Sequence, residues 1–141
     1  MEYQSYGTAD TESIAAEFAS KLNAGDVVFL TGDLGAGKTA FVRGLAAGLG
    51  LSNTVQSPTF TIVNEYRGGE LPLFHFDLYR LEDEDALYDI GFEEYMVSQG
   101  IFVMEWPDIA RGMVGSHWEI HIERELSVSE DYRRIAIEYK E

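Results

Sequence analysis

Apolar positions along this chain alternate between helical spacing, short unbroken runs and two-residue alternation. From Thr11 to Leu22, the residues Ile14, Ala15, Phe18, Ala19 and Leu22 recur at helical spacing and predict a helix with one apolar face. Asp10 and Glu12 stand near its start, where the helix dipole favours acids. Ahead of it, "EYQSYG" reads as a weak opening strand. "NAGD" is a turn, and Val27 to Thr31 is an unbroken apolar run that predicts a buried strand. Helical spacing returns from Lys38 to Leu49, with Phe41, Val42, Leu45, Ala46 and Leu49 on one face, and "GLGL" ends it.

The second half is richer in strands. "TFTIVNEY" and "LPLFHFDLY" flank "RGGE" and predict a β-hairpin with a glycine turn. "LEDEDALYDIGFEEYMV" begins as an acidic run and is expected to become a helix. Ile101 to Met104, "IFVM", is another buried strand running into "EW", and Pro107 and Asp108 open a short helix. "WEIHIER" and "RRIAIEY" both alternate and are expected to pair as an antiparallel hairpin at one edge of the sheet. There is no internal repeat, low-complexity tract or linker.

Composition narrows the function classes. The 141 residues suit one α/β domain over 1–141, and 45% hydrophobic content supplies a core. No stretch approaches the roughly 18 uncharged apolar residues of a membrane span. "MEYQSYGTADTES" lacks the basic-then-apolar pattern of a secretory signal. With no cysteine, disulfides and thiolate metal sites are excluded. The expected location is the cytoplasm, with no membrane partner. The formal net charge is −15, from 25 acidic and 10 basic residues. Nucleic-acid affinity rests mainly on Lys and Arg neutralising phosphates, so this chain alone should bind a polyanion poorly. A nucleotide is different, because backbone N–H groups and a single Lys suffice.

"GDLGAGKT", Gly32 to Thr39, fits G-x-x-x-x-G-K-[ST] between an apolar strand and an apolar-faced helix, the context that motif requires. The glycines let successive N–H groups turn toward phosphate oxygens, and the helix N-terminus adds partial positive charge. Lys38 is expected to reach the β- and γ-phosphates and Thr39 to offer its hydroxyl to Mg²⁺. An N-K-x-D guanine reader and a D-x-x-G switch are both missing, which favours ATP over GTP. The scattered Arg67, Arg80, Arg111 and Arg124 do not make the arginine-rich lid of a small-molecule kinase. Motif and composition stop at a small Mg-ATP-binding switch or ATPase. A small kinase for a metabolite or protein is the alternative, and a nucleotide-gated binding module is the third reading.

An acid at the end of a buried strand commonly serves the metal in such sites. Glu105 after "IFVM" fits, to order the Mg²⁺ shell or position a water, although a surface acid would look the same. Asp77, ending "LFHF", is a second candidate, with a structural salt bridge to Arg80 as its other reading. In "SPTF", Ser57 and Thr59 have the hydroxyls to sense a γ-phosphate. His75, alternating with Phe74 and Phe76, reads as structural. His117 and His121, with Glu119 and Glu123, share one face of a terminal edge strand. A solvated edge explains that pattern better than a metal site. Trp106 reads by default as a core residue.

Together, "GDLGAGKT", "SPTF", "HFDLYRL" and "MEW", in this order and spacing, resemble the bacterial TsaE (YjeE) proteins, the ATPase component of tRNA threonylcarbamoyladenosine synthesis. The likeness runs from the "DTES" helix to "RRIAIEY". It implies a three-layer α/β fold of the P-loop NTPase type, with a mixed sheet of parallel core and antiparallel edge strands. It implies binding of ATP/ADP with Mg²⁺, slow hydrolysis, and action on the TsaB–TsaD pair that modifies adenosine 37 of ANN-decoding tRNAs. tRNA would be met only through those partners, and the isolated chain would be a monomer or weakly self-associating. Nucleotide contacts carry over to Gly32, Asp33, Leu34, Gly35, Ala36, Gly37, Lys38, Thr39, the adjoining Ala40, and Trp106. Catalytic roles carry over to Lys38, Thr59, Asp77 and Glu105, and metal contacts to Thr39, Asp77 and Glu105. Met104 stands where the family has Ile. The family's C-terminal arginine follows a glycine that "DYRR" lacks, so Arg133 and Arg134 receive no role.

Overall fold

The computed structural model describes residues 1–33, 35–51, 55–58 and 61–141. Among these residues, seven strands form one sheet: β1 (Glu2–Ser5), β2 (Val27–Thr31), β3 (Val63–Tyr66), β4 (Leu73–Asp77), β5 (Ile101–Glu105), β6 (His117–Arg124) and β7 (Arg133–Lys140). Their spatial order is β1-β7-β6-β2-β5-β4-β3. The four central strands β6, β2, β5 and β4 run parallel. β7 and β1 on one side, and β3 on the other, are antiparallel to their neighbours. This is the mixed sheet expected from the resemblance.

Two apolar layers cover the sheet. α1 (Thr8–Ala19) and α2 (Lys38–Gly48) pack Ala15, Phe18, Phe41, Val42 and Leu45 against Val28, Leu30, Val103 and Ile120. On the opposite face, α3 (Glu84–Asp89), α4 (Phe92–Met96) and the 3-10 helix Pro107–Met113 bring Leu87, Phe92 and Ala110 against Phe29, Phe74, Phe76, Phe102 and Met104. β2, β4 and β5 are almost wholly buried, as strands covered on both faces must be. Their apolar runs were therefore readable without alternation. No helix among the described residues is long and apolar enough to cross a membrane.

Local chemistry explains where elements begin and end. α1 starts three residues earlier than its apolar spacing indicates. Gly7 is its N-cap, and the Asp10 carboxylate accepts from the Tyr6 N–H at 2.9 Å. That first turn is polar, so periodicity misses it. The acidic segment forms two short helices instead of one. Asp83 caps α3 by accepting from the Ala86 N–H at 3.0 Å, and Gly91, at φ 83°, breaks the chain before α4. β3 begins only at Val63, after Ile62 at φ 69°. The start of the "TFTIVNEY" strand, at Thr59 and Phe60, lies outside the described residues.

The C-terminal hairpin is present, but not as an edge pair. β6 pairs with β2 inside the sheet, and β1 closes the edge beyond β7. Alternation could not reveal this, because β6 keeps one polar face even in the interior. There Arg111 hydrogen-bonds Glu119 and sits 5.1 Å over the Phe29 ring.

α1 and α2 touch at glycine. A Cβ on Gly44 would lie 2.3 Å from the Glu12 carbonyl oxygen, and one on Gly48 would lie 2.6 Å from that of Ala16. Gly44→Ala should therefore destabilise the protein by about 1–3 kcal/mol through overpacking against backbone. This opposes the ~1 kcal/mol that alanine favours in a helix. A fall in the urea midpoint at constant slope is the expected result, whereas a rise would mean that the helices part freely.

Candidate functional site

The parallel core places the carboxyl ends of β2, β4 and β5 side by side, the usual ligand-binding edge of an open α/β sheet. From β2 the chain turns through Gly32–Gly37 into α2. Gly32, Gly35 and Gly37 have φ of 148°, 80° and 102°. Only glycine adopts such angles without strain. A side chain at Gly32 would also collide with the Ile122 carbonyl oxygen, 2.6 Å from the Cβ position. The Ala36 N–H closes a turn onto the Asp33 carbonyl at 3.0 Å. Leu34 lies outside the described residues.

Lys38, the first residue of α2, is only 6% exposed. Its Nζ lies 3.6 Å from Glu105 Oε1 at the end of β5 and 4.4 Å from the centre of the Trp106 ring. Glu105 in turn shares a hydrogen bond with His75, 2.5 Å between Oε2 and Nε2. Trp106 adopts φ 54°, a left-handed conformation that costs a bulky residue of order 1–3 kcal/mol. This bend, at the start of the 3-10 helix, lays the indole beside Lys38 and against the exposed Tyr79 ring, 5.0 Å away. Asp77 ends β4 directly across from Glu105, and its Oδ1 accepts from the Tyr79 N–H at 3.0 Å.

These groups border a cavity of about 360 Å³. Of the residues singled out from the sequence, Gly35, Gly37, Lys38, Thr39, Ser57, Asp77, Glu105 and Trp106 line it. Gly32, Asp33, Ala36 and Ala40 do not. Asp33 and Ala36 face a separate groove beside β6, and Ala40 faces a small cleft near Gly7 and Thr11. Thr59 lies outside the described residues. A larger groove of about 550 Å³, bordered by Tyr88, Phe92, Met96 and Met113, lies under α3 and α4 and contains none of the site acids or cations.

Two cavity residues had no role from the sequence: Thr8 carries no motif, and Arg133 was set aside because "DYRR" lacks the glycine that precedes the family's arginine. Thr8 comes from the start of α1, and Arg133 comes from the first position of β7. The Arg133 guanidinium donates to the Ala36 carbonyl at 2.9 Å and the Gly35 carbonyl at 3.3 Å. It is itself held by the carbonyls of Glu130 and Tyr132. The glycine loop is thus tied to a strand about a hundred residues away, a contact that only sheet order can create.

The histidine–acid pattern of β6 is absorbed by other partners. His121 contacts Thr31 Oγ1 at 2.7 Å and Glu123 at 3.3 Å, while Glu123 pairs with Arg134. Hydrogen bonding from Arg111 holds the Glu119 carboxyl below its ordinary range. Among the described residues, no group of three or more histidines or acids is arranged to hold a metal.

Residues 6–135 match the family described as threonylcarbamoyl adenosine biosynthesis protein TsaE. The chain is 47% identical over 106 residues to the tRNA threonylcarbamoyladenosine biosynthesis protein TsaE of Bacillus subtilis, covering 75% of this chain and 66% of that protein. It is 46% identical over 102 residues to the Synechocystis protein of the same name, covering 70% of this chain and 64% of that one. With the Rickettsia prowazekii protein it shares 32% identity over 133 residues, 94% and 90% of the two chains. The matched part therefore spans just under two thirds of the first two relatives. Among solved structures, Bacillus subtilis YdiB superposes with a TM-score of 0.80 at 36% identity, covering 97% of this chain and 83% of that one.

The Arg133 contacts make a specific prediction about loop order. Each hydrogen bond from a charged donor contributes about 1.5–3 kcal/mol. Arg133→Ala should raise amide exchange at Gly35–Gly37 by roughly tenfold or more, leaving β2 protected. Hydrogen-exchange mass spectrometry reads this directly, and unchanged loop protection would show that the loop holds itself.

Proposed function

The chain belongs to the TsaE family, whose members act in tRNA threonylcarbamoyladenosine biosynthesis, and from that premise we propose that it binds and slowly hydrolyses Mg-ATP at the β2–α2 loop. The observation that carries this reading is Lys38. A nearly buried ammonium at a helix N-terminus, beneath three left-handed glycines, suits an anion with several oxygens. In an acidic protein, that charge is held in place by Glu105 until a phosphate replaces it.

The donors around the cavity fit Mg²⁺ as they stand. Thr39, Asp77 and Glu105 offer only oxygen, and Mg²⁺ is held by one or two carboxylates together with substrate phosphates, so no dedicated cage is needed. When bound, the ion would neutralise charge on the phosphates. Lys38 would bind the β- and γ-phosphates. Glu105, released from Lys38, would accept a hydrogen bond from the attacking water. That water would add to the γ-phosphorus as the bond to the β–γ bridging oxygen breaks, giving ADP and hydrogen phosphate, with the water's second proton released to solvent. Asp77 would stand beside it to order the metal's waters. Ser57, which lines the cavity, and Thr59 would belong to a segment that senses the γ-phosphate.

Hydrolysis would then act on a TsaB–TsaD-type complex in the cytoplasm, which transfers the threonylcarbamoyl group to tRNA adenosine 37. A net charge of −15 supports contact with tRNA through those partners only.

Lys38→Ala should weaken ATP binding and lower turnover by at least a hundredfold. Thr39→Ala should weaken Mg²⁺-dependent binding more than binding without Mg²⁺. Calorimetric titration and phosphate release, each with and without TsaB–TsaD, are the measurements. Wild-type turnover in both variants would refute the site, and a rate indifferent to the partners would refute their coupling to it. Because Lys38 lies over the Trp106 ring, nucleotide should also change indole emission. The change should vanish in Trp106→Phe while Trp118 remains, and a surviving signal would place the sensor elsewhere.

A further inference from the structure

His75 sits in the middle of β4, in register with Val103 of β5 on one side and Asn64 of β3 on the other. It is 0% exposed, and the same face of the sheet carries Leu73, Val103 and Leu30 beneath α1 and α2. Among the described residues, only one of its ring nitrogens has a partner. Nε2 meets Glu105 Oε2 at 2.5 Å, and the buried Nδ1 has no hydrogen-bond partner among the described residues. Leaving a buried polar atom unpaired is unfavourable, so packing alone would favour leucine or phenylalanine here.

The geometry points to what the ring does. Parallel pairing of β4 with β5 sets Asp77 opposite Glu105 and His75 one pleat behind it, on the same face. The terminal torsion of a glutamate is broad and nearly two-fold, so a carboxylate held by nothing else would swing. In this structure the two oxygens have separate partners: Oε2 has His75, and Oε1 has Lys38 at 3.6 Å. Once a triphosphate takes Lys38, His75 is the contact that still holds Glu105.

We propose that His75 is a positioning residue for the hydrolytic step: its Nε2–H donates to Glu105 Oε2, so that Oε1 is the oxygen presented to the cavity and to the attacking water. A carboxylate oxygen accepts only, which assigns the ring proton to Nε2 and leaves Nδ1 as the unpaired acceptor. The inference rests on the reading of the cavity as an ATPase site, and it adds the group that selects which oxygen works.

The test compares His75→Leu and His75→Gln with the wild type, in ATP turnover and in calorimetric ATP affinity. Glutamine keeps a side-chain N–H donor, whereas leucine keeps only the bulk. For His75→Leu, kcat should fall roughly 10–100-fold, the usual cost of losing such an outer-shell partner, with ATP affinity within about threefold of wild type. His75→Gln should recover most of the rate. Equal losses in the two variants, or a loss confined to affinity, would overturn the proposal.

A second measurement stands if the leucine variant does not fold. In ¹⁵N-labelled wild type, the His75 ring should show an exchange-protected Nε2-bound proton whose resonance moves on Glu105→Gln. Its absence would overturn the proposal. Wild-type protein without ATP turnover, even with TsaB–TsaD, would refute the ATPase reading and the positioning role with it, though the ring signal would remain. Full turnover in His75→Leu would remove the positioning role alone.

Discussion

A nearly buried ammonium must find a counter-charge, and the site is arranged around that requirement. Lys38 opens α2 inside the protein, and Glu105 is its counterion. The pair can meet only because β2 and β5 are adjacent and parallel, with Leu30 in register with Glu105. Removing one member of such a pair typically costs about 3–5 kcal/mol, because the other is left charged and desolvated. The line continues to His75 on β4, so a helix and two strands are joined by contacts that an apolar core would not need. A ligand able to replace Glu105 as the partner of Lys38 would exchange one compensated charge for another without first opening the core.

The charge distribution around this point is uneven. The protein is strongly acidic, and much of its basic charge is spent in partly exposed ion pairs: Arg43 with Glu12, Arg67 with Glu65, Arg111 with Glu119, Arg134 with Glu123 and Glu125, and Lys140 with Glu138. Pairs of that kind contribute little to stability. Lys38 and Arg133 are the basic residues that line the cavity among the described residues. The cavity thus sets these two cations against the two acids Asp77 and Glu105, a local balance within a strongly acidic protein, which favours a small anion over a long polyanion.

Backbone geometry concentrates at the same place. Left-handed glycines shape the loop, and among the described residues two larger ones, Ile62 and Trp106, also adopt positive φ. Trp106 bends the chain directly after Glu105. The Ile62 carbonyl oxygen accepts from the Asp77 N–H at 2.8 Å, and the Ile62 N–H donates to the Pro58 carbonyl at 2.7 Å. Both cavity acids thus sit beside a strained residue, a distribution typical of functional sites.

The central strands, the loop and the two large helices were legible in the sequence because each has its own signal. A strand buried on both faces is an unbroken apolar run, an amphipathic helix repeats every 3.6 residues, and a phosphate loop is written in glycines around a lysine. Glu105 and Asp77 were legible for a related reason, as acids at the ends of apolar runs. The break at Gly91 was visible as a residue but not as a decision, since a glycine in an acidic helix can be tolerated or can end it. What no local pattern could contain is pairing across the sheet. That β6 lies inside the sheet, that Arg133 reaches the carbonyls of Gly35 and Ala36, and that His75 meets Glu105 all follow from strand order and register. Those are set by how two apolar layers close over one sheet. A histidine between two phenylalanines looks the same in sequence whether it fills space or holds a carboxylate, and only the neighbouring strand distinguishes the two.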